Sequence, residues 1–140
     1  MEKIIYTKKE ISTAAARVIS TIPEHSIICL SGSMGAGKTT FINALVKQLG
    51  GEEQAYSPTF GLVNEYHYQN GDLLGYHFDF YRLIDPEEAL DLGLEDYLAK
   101  NVWVFIEWPE KVSDLLPDEC IHLSLKILDP YTRELTLPTP

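Results

Sequence analysis

Apolar and polar positions alternate along this chain with two different periods, and the switch between them lays out its elements. From Thr7 to Ile22 the apolar residues Ile11, Ala14, Ala15, Val18, Ile19 and Ile22 recur at i, i+3, i+4 and i+7, which predicts an amphipathic helix. Thr7, followed three residues later by Glu10, makes a capping box at its start. After Pro23, Ser26-Ile27-Ile28-Cys29-Leu30-Ser31 is a continuous apolar run, the pattern of a strand buried on both faces of a parallel sheet. A glycine-rich turn follows, then a helix with Phe41, Leu45 and Leu49 in step, stopped by Gly50-Gly51.

The middle of the chain reads differently. Leu62–Tyr68 and Leu73–Phe80 flank Gln69-Asn70-Gly71-Asp72, and Asn-Gly predicts a two-residue hairpin. Asp85-Pro86-Glu87-Glu88 starts a short helix with Asp85 as its cap, Gly93 ends it, and Leu94–Ala99 adds a further helical turn or two. Val102–Ile106 is a second continuous apolar run and a second candidate for the sheet centre. Ile121, Leu123, Leu125 and Ile127 alternate, then turn at Asp129-Pro130 into Glu134–Leu137. The predicted class is α/β: one domain over residues 1–140, a mixed sheet with helices on both faces.

Composition narrows the function. The chain carries 11 Lys+Arg against 21 Asp+Glu, a net charge of −10. Duplex or tRNA binding calls for a basic surface, so a direct, strong tRNA contact is not expected. No run of apolar residues is long enough to span a bilayer, and the N-terminus has no apolar signal core, which points to the cytoplasm. Cys29 and Cys120 both lie in apolar runs and read as buried free thiols. His25, His67, His77 and His122 show no ligand spacing with them.

The sharpest signal is Gly32-Ser33-Met34-Gly35-Ala36-Gly37-Lys38-Thr39, which fits G-x-x-x-x-G-K-[ST] at every fixed position and sits between a predicted strand and helix. Glycines let the backbone wrap so that N–H groups point at phosphate oxygens, and the helix N-terminus adds its own N–H groups and dipole. Lys38 can reach the β and γ phosphates, and the Thr39 hydroxyl can ligate Mg²⁺. Such a loop needs a carboxylate for the metal, and Glu107 stands directly after the Val102–Ile106 run. Asp79 is a second candidate, on the strand face it shares with His77 and Tyr81; a solvated face also explains it. Thr59, in Ser57-Pro58-Thr59-Phe60, lies where a switch-like loop could reach the γ-phosphate, or in a simple turn. Trp108 lies either beside the nucleotide or packed under a loop.

There is no N-K-x-D guanine reader, so ATP is preferred. With only Arg17, Arg82 and Arg133 available to clamp phosphates, hydrolysis is favoured over transfer to a small acceptor. A small-molecule kinase and a module using nucleotide only as a clasp are the rival readings.

Taken together, Leu30-Ser31-Gly32 through Thr40, Ser57-Pro58-Thr59-Phe60, His77-Phe78-Asp79-Phe80-Tyr81-Arg82-Leu83 and Ile106-Glu107-Trp108-Pro109 resemble the TsaE (YjeE) family in order and spacing. The resemblance implies a P-loop ATPase subunit that works with TsaD and TsaB in forming N6-threonylcarbamoyladenosine in tRNA, TsaD being the partner that touches tRNA. It implies that Lys38 and the loop amides hold phosphates and that Thr39 with Glu107 holds Mg²⁺. Thr59 and Asp79 would support hydrolysis near the γ-phosphate. Arg133 corresponds to a late arginine near the nucleoside, and Thr7 corresponds loosely to an N-terminal nucleotide contact. Ser33 stands where the family often has Asp, and Gly61 where Thr is common.

Overall fold

In the computed structural model, which describes residues 1–52, 56–59 (backbone only) and 62–138, the two continuous apolar runs lie side by side at the centre of the sheet. They are β2 (Ile27–Gly32) and β6 (Trp103–Glu107), paired in parallel. Their side chains alternate between two separate cores. Ile28, Leu30, Trp103 and Phe105 pack on one face, against α1 (Ile11–Thr21) and α2 (Lys38–Gln48). Cys29, Val104 and Ile106 pack on the other, with Ala89 of α3 (Glu87–Leu92), Leu94 of α4 (Leu94–Leu98) and Val112 of a 3-10 segment at Pro109–Leu115. Both faces are therefore covered by helical elements, which is why these runs carry no polar alternation. The two cysteines are buried and free.

Among the described residues eight strands form one sheet, in the order β1-β8-β7-β2-β6-β5-β4-β3. The central strands β7 (Ile121–Asp129), β2, β6 and β5 (Leu73–Asp79) run parallel. Antiparallel strands flank them: β8 (Thr132–Leu137) and β1 (Glu2–Thr7) on one side, β4 (Val63–His67) and β3 (Tyr56–Thr59) on the other. The expected mixed sheet with helices on both faces is what forms.

Two local expectations are refined. The first helical segment is shorter than Thr7–Ile22: the capping box of Thr7 and Glu10 opens a 3-10 turn at Lys8–Glu10, and α1 begins at Ile11. Before it, residues 2–7 form a strand that the sequence pattern does not announce. The Asn-Gly hairpin is also not a two-residue turn. The Gly71 N–H donates to the Tyr68 carbonyl at 2.9 Å, Asn70 keeps a negative φ, and only Gly71 is left-handed, at φ 94°. That is a three-residue loop, a type I turn closed by a glycine bulge.

Tyr6 of β1 is 4% exposed and packs against Phe41 with ring centroids 5.6 Å apart. Burial pushes its phenol from 10.0 up to about 12, against the opposing charge of Arg133. The sign follows from linkage: the benefit of keeping this phenol neutral is complete below the unfolded value and disappears as pH rises through the folded one. Between about pH 9 and about pH 11.5 the wild type is expected to lose about 2 kcal/mol more stability than Tyr6→Phe. Urea denaturation of both proteins at the two pH values checks this, and parallel losses would show that Tyr6 does not titrate with unfolding.

Candidate functional site

The strand ends bring the sequence candidates together. In the parallel register, Leu30 of β2 pairs with Glu107 of β6, and Glu107 pairs with Asp79 of β5. Both carboxylates thus stand at the C-terminal ends of parallel strands, beside the strand that runs into the Gly32–Thr39 loop. This is where open α/β sheets leave a crevice.

The loop itself is a strand-to-helix turn. The Ala36 N–H donates to the Ser33 carbonyl at 3.1 Å, and Gly37 caps α2 at φ 95°, a conformation that a side chain there would strain. The first intrahelical bond runs from the Phe41 N–H to the Gly37 carbonyl, so the N–H groups of Lys38, Thr39 and Thr40 lie ahead of it, without intrahelical acceptors. Ser33, Met34 and Gly35 are exposed at the loop's tip. This is an anion cradle by construction.

Three polar or charged side chains are buried among the described residues: Lys38, His77 and Glu107. All three belong to this site. Lys38 Nζ donates to the Gly32 carbonyl at 2.6 Å and lies 3.5 Å from the centroid of the Trp108 ring. Burial holds its amine below the usual lysine range, while the charges of Glu107, Glu110 and Asp79 work the other way. Glu107 Oε2 accepts from the Thr39 hydroxyl at 2.7 Å and lies 2.7 Å from His77 Nε2. Burial pushes the Glu107 carboxyl up, but the bonds from His77 and Thr39, with the charges of His77 and Lys38, outweigh it and hold it below the usual range. It is therefore a carboxylate at neutral pH.

A hydroxyl and a carboxylate are hard oxygen donors, and their 2.7 Å contact suits a shared place in a Mg²⁺ shell completed by phosphate and water. Among the described residues no cluster of three His, Cys, Asp or Glu forms an all-protein metal cage. The donor set thus fits a metal that arrives with a phosphorylated ligand.

Asp79 is half-buried, its Oδ1 accepts from the Tyr81 N–H at 3.1 Å, and it lines a cavity of about 760 Å³ with Tyr81 and Arg82. On the other side of the loop, Thr7, Gly37, Thr40, Tyr131 and Arg133 line a second cavity of about 600 Å³. Arg133 Nε donates to the Ala36 carbonyl at 2.9 Å, and its Nη1 donates to the Asp129 and Thr132 carbonyls. This arginine ties the β7–β8 turn to the phosphate loop. Thr59 ends β3, and its side chain lies outside the described residues, as do Phe60 and Gly61.

One participant escapes the sequence reading. The sequence places His77 only on the polar face of its strand. Its neighbour Glu107 is revealed by the β5–β6 pairing, which joins residues 30 positions apart. Trp108, open between two readings, takes a left-handed backbone (φ 57°) that brings its ring under Lys38.

Residues 5–135 match the family described as Threonylcarbamoyl adenosine biosynthesis protein TsaE. A tRNA threonylcarbamoyladenosine biosynthesis protein TsaE from Rickettsia bellii is 37% identical over 129 residues, covering 91% of this chain and 88% of that protein. One from Treponema pallidum is 38% identical over 116 residues, covering 83% and 84%. The crystal structure of Bacillus subtilis YdiB superposes with a TM-score of 0.71 at 27% identity, covering 97% of this chain and 83% of that one.

Proposed function

Because the chain belongs to the TsaE family of tRNA threonylcarbamoyladenosine biosynthesis proteins, we propose that it is the ATP-binding, slowly hydrolysing subunit that supports TsaD and TsaB in that modification. The observation that carries the reading is the burial of Lys38, His77 and Glu107 together beside the loop. Burying charge is costly, and an arrangement of cation, hydroxyl and carboxylate at a helix N-terminus matches what a phosphate–metal ligand requires.

In this reading the loop amides and Lys38 hold the phosphates, and Thr39 with Glu107 holds Mg²⁺. The metal supplies charge neutralisation on the phosphate oxygens. Asp79, with Thr59, orients the attacking water. Arg133 and Thr7 border the nucleoside side, within the cavity of about 600 Å³. The whole chain acts as one P-loop domain in the cytoplasm. Among the described residues, no helix is long and apolar enough to cross a membrane.

Hydrolysis is favoured over phosphoryl transfer to a small acceptor by the use of the arginines. Arg17 is paired with Glu2 at 2.9 Å and Arg133 is tied to carbonyls, so of the three arginines only Arg82 has no partner among the described residues. That leaves a single free arginine, exposed at the cavity it lines with Asp79, rather than the set of cations a phosphate lid uses. The acidic charge also fits a subunit that leaves tRNA to its partners.

The test is phosphate release from Mg²⁺–ATP by the purified chain, alone and with TsaD–TsaB. Weak release that rises with the pair is expected. Bound ATP with no release in either condition would favour the clasp. Asp79→Ala sharpens the result: turnover should fall roughly 100-fold while ATP affinity stays within about threefold. Wild-type turnover in that variant would remove Asp79 from the chemistry.

A further inference from the structure

We propose that His77 is a positioning residue that holds the Glu107 carboxylate in its metal-binding orientation; this rests on reading Glu107 as a Mg²⁺ ligand. One oxygen, Glu107 Oε2, takes both short contacts: the Thr39 hydroxyl at 2.7 Å and His77 Nε2 at 2.7 Å. An ionised carboxylate only accepts, so the imidazole proton sits on Nε2.

The two donors are not equivalent. The Thr39 hydroxyl belongs to an exposed residue at the first turn of α2, and its oxygen is the lone-pair donor a metal would claim. Once that oxygen faces a cation, its proton is free to turn elsewhere. His77 has no such freedom. Its side chain is 3% exposed, its ring stacks on Tyr66 with centroids 6.3 Å apart, and the Tyr66 hydroxyl is anchored to Asn43 of α2 at 2.9 Å. Its Nδ1 is buried without a hydrogen-bond partner among the described residues. The ring therefore has one polar commitment, to Glu107, and packing fixes its direction.

A purely space-filling role would be served by an apolar side chain, without burying a ring nitrogen unpaired. The arrangement instead matches the general logic of metal sites, in which an outer hydrogen bond fixes a ligating carboxylate. With His77 in place, one carboxylate oxygen is pinned and the orientation of the other follows.

The experiment measures binding of a fluorescent ATP analogue in EDTA and across a Mg²⁺ titration, using the full chain, with thermal melts as the folding control. His77→Leu is expected to raise the half-saturating Mg²⁺ concentration about tenfold or more while metal-free nucleotide affinity changes less than about twofold. His77→Gln, whose amide N–H reaches the Nε2 position, should recover most of the loss. His77→Asn, which reaches only the Nδ1 position, should not. If His77→Leu fails to fold, the Gln–Asn contrast still decides the matter. An unchanged Mg²⁺ midpoint in a folded variant, equal impairment of Gln and Asn, or equal loss with and without Mg²⁺ would assign His77 to packing alone. Wild-type nucleotide binding that ignores Mg²⁺ would overturn the metal reading itself and the proposal with it.

Discussion

Replacing Lys38 with alanine is expected to weaken ATP binding by roughly 10- to 100-fold, the loss of one charge-assisted contact worth about 1.5–3 kcal/mol. The ammonium donates to the Gly32 carbonyl and lies over the Trp108 ring, so its charge is sheltered but not strongly paired. Burial already disfavours the charged form, and nearby carboxylates offset that only in part. Removing the side chain is therefore expected to cost the fold little while it takes from the proposed phosphate site the one buried lysine or arginine among the described residues. Calorimetric titration with ATP, beside urea denaturation, separates the two effects. Wild-type affinity in a folded Lys38→Ala protein would contradict the phosphate assignment.

Glu107→Ala should act on both turnover and stability. Losing the carboxylate is expected to cut partner-stimulated phosphate release by about 100- to 1,000-fold, the scale seen when one group aimed at a developing charge is removed. It also strands the His77 Nε2–H in a buried pocket without its acceptor, a loss of about 1–3 kcal/mol. Glu107→Gln separates these terms: its amide oxygen still accepts, so stability should largely return while turnover stays low. The acid side gives a further check. A carboxyl held below its usual value contributes stability that is present above about pH 4.5 and lost as pH falls through the folded value. Glu107→Gln should flatten that loss in urea denaturation at decreasing pH. A Gln variant with wild-type turnover would remove Glu107 from the metal site.

These variants target residues that the sequence exposes to different degrees. The loop from Gly32 to Thr39 is legible because its chemistry is local: the glycines, the lysine and the hydroxyl act through backbone they themselves shape. β2 and β6 are legible because burial on both faces suppresses polar alternation. β1 is not, because Ile5 is 60% exposed and the strand owes its existence to pairing with β8, Ile4 meeting Leu135 across nearly the whole chain. The contact of His77 with Glu107 is hidden for the same reason. Two short helices separate their strands in sequence, and no periodicity encodes which parallel strands become neighbours. The Asn70-Gly71 turn shows a local limit as well: the dipeptide marks the reversal but does not choose between two loop geometries that both place glycine at positive φ.

The tie from Arg133 to the Ala36 carbonyl has a bearing on the order in which the molecule is assembled during synthesis. The loop from Gly32 to Thr39 is made early, yet the arginine that braces it, 97 positions after Ala36, and the strand that pairs with β1 are translated only after β7. Contacts so distant in sequence form late and slowly. A nascent chain released only as far as β7 holds the loop and its carboxylates but not the wall shared by Thr7 and Arg133. If Thr7 and Arg133 border the nucleoside, as proposed, that wall is complete only once the β7–β8 hairpin has closed.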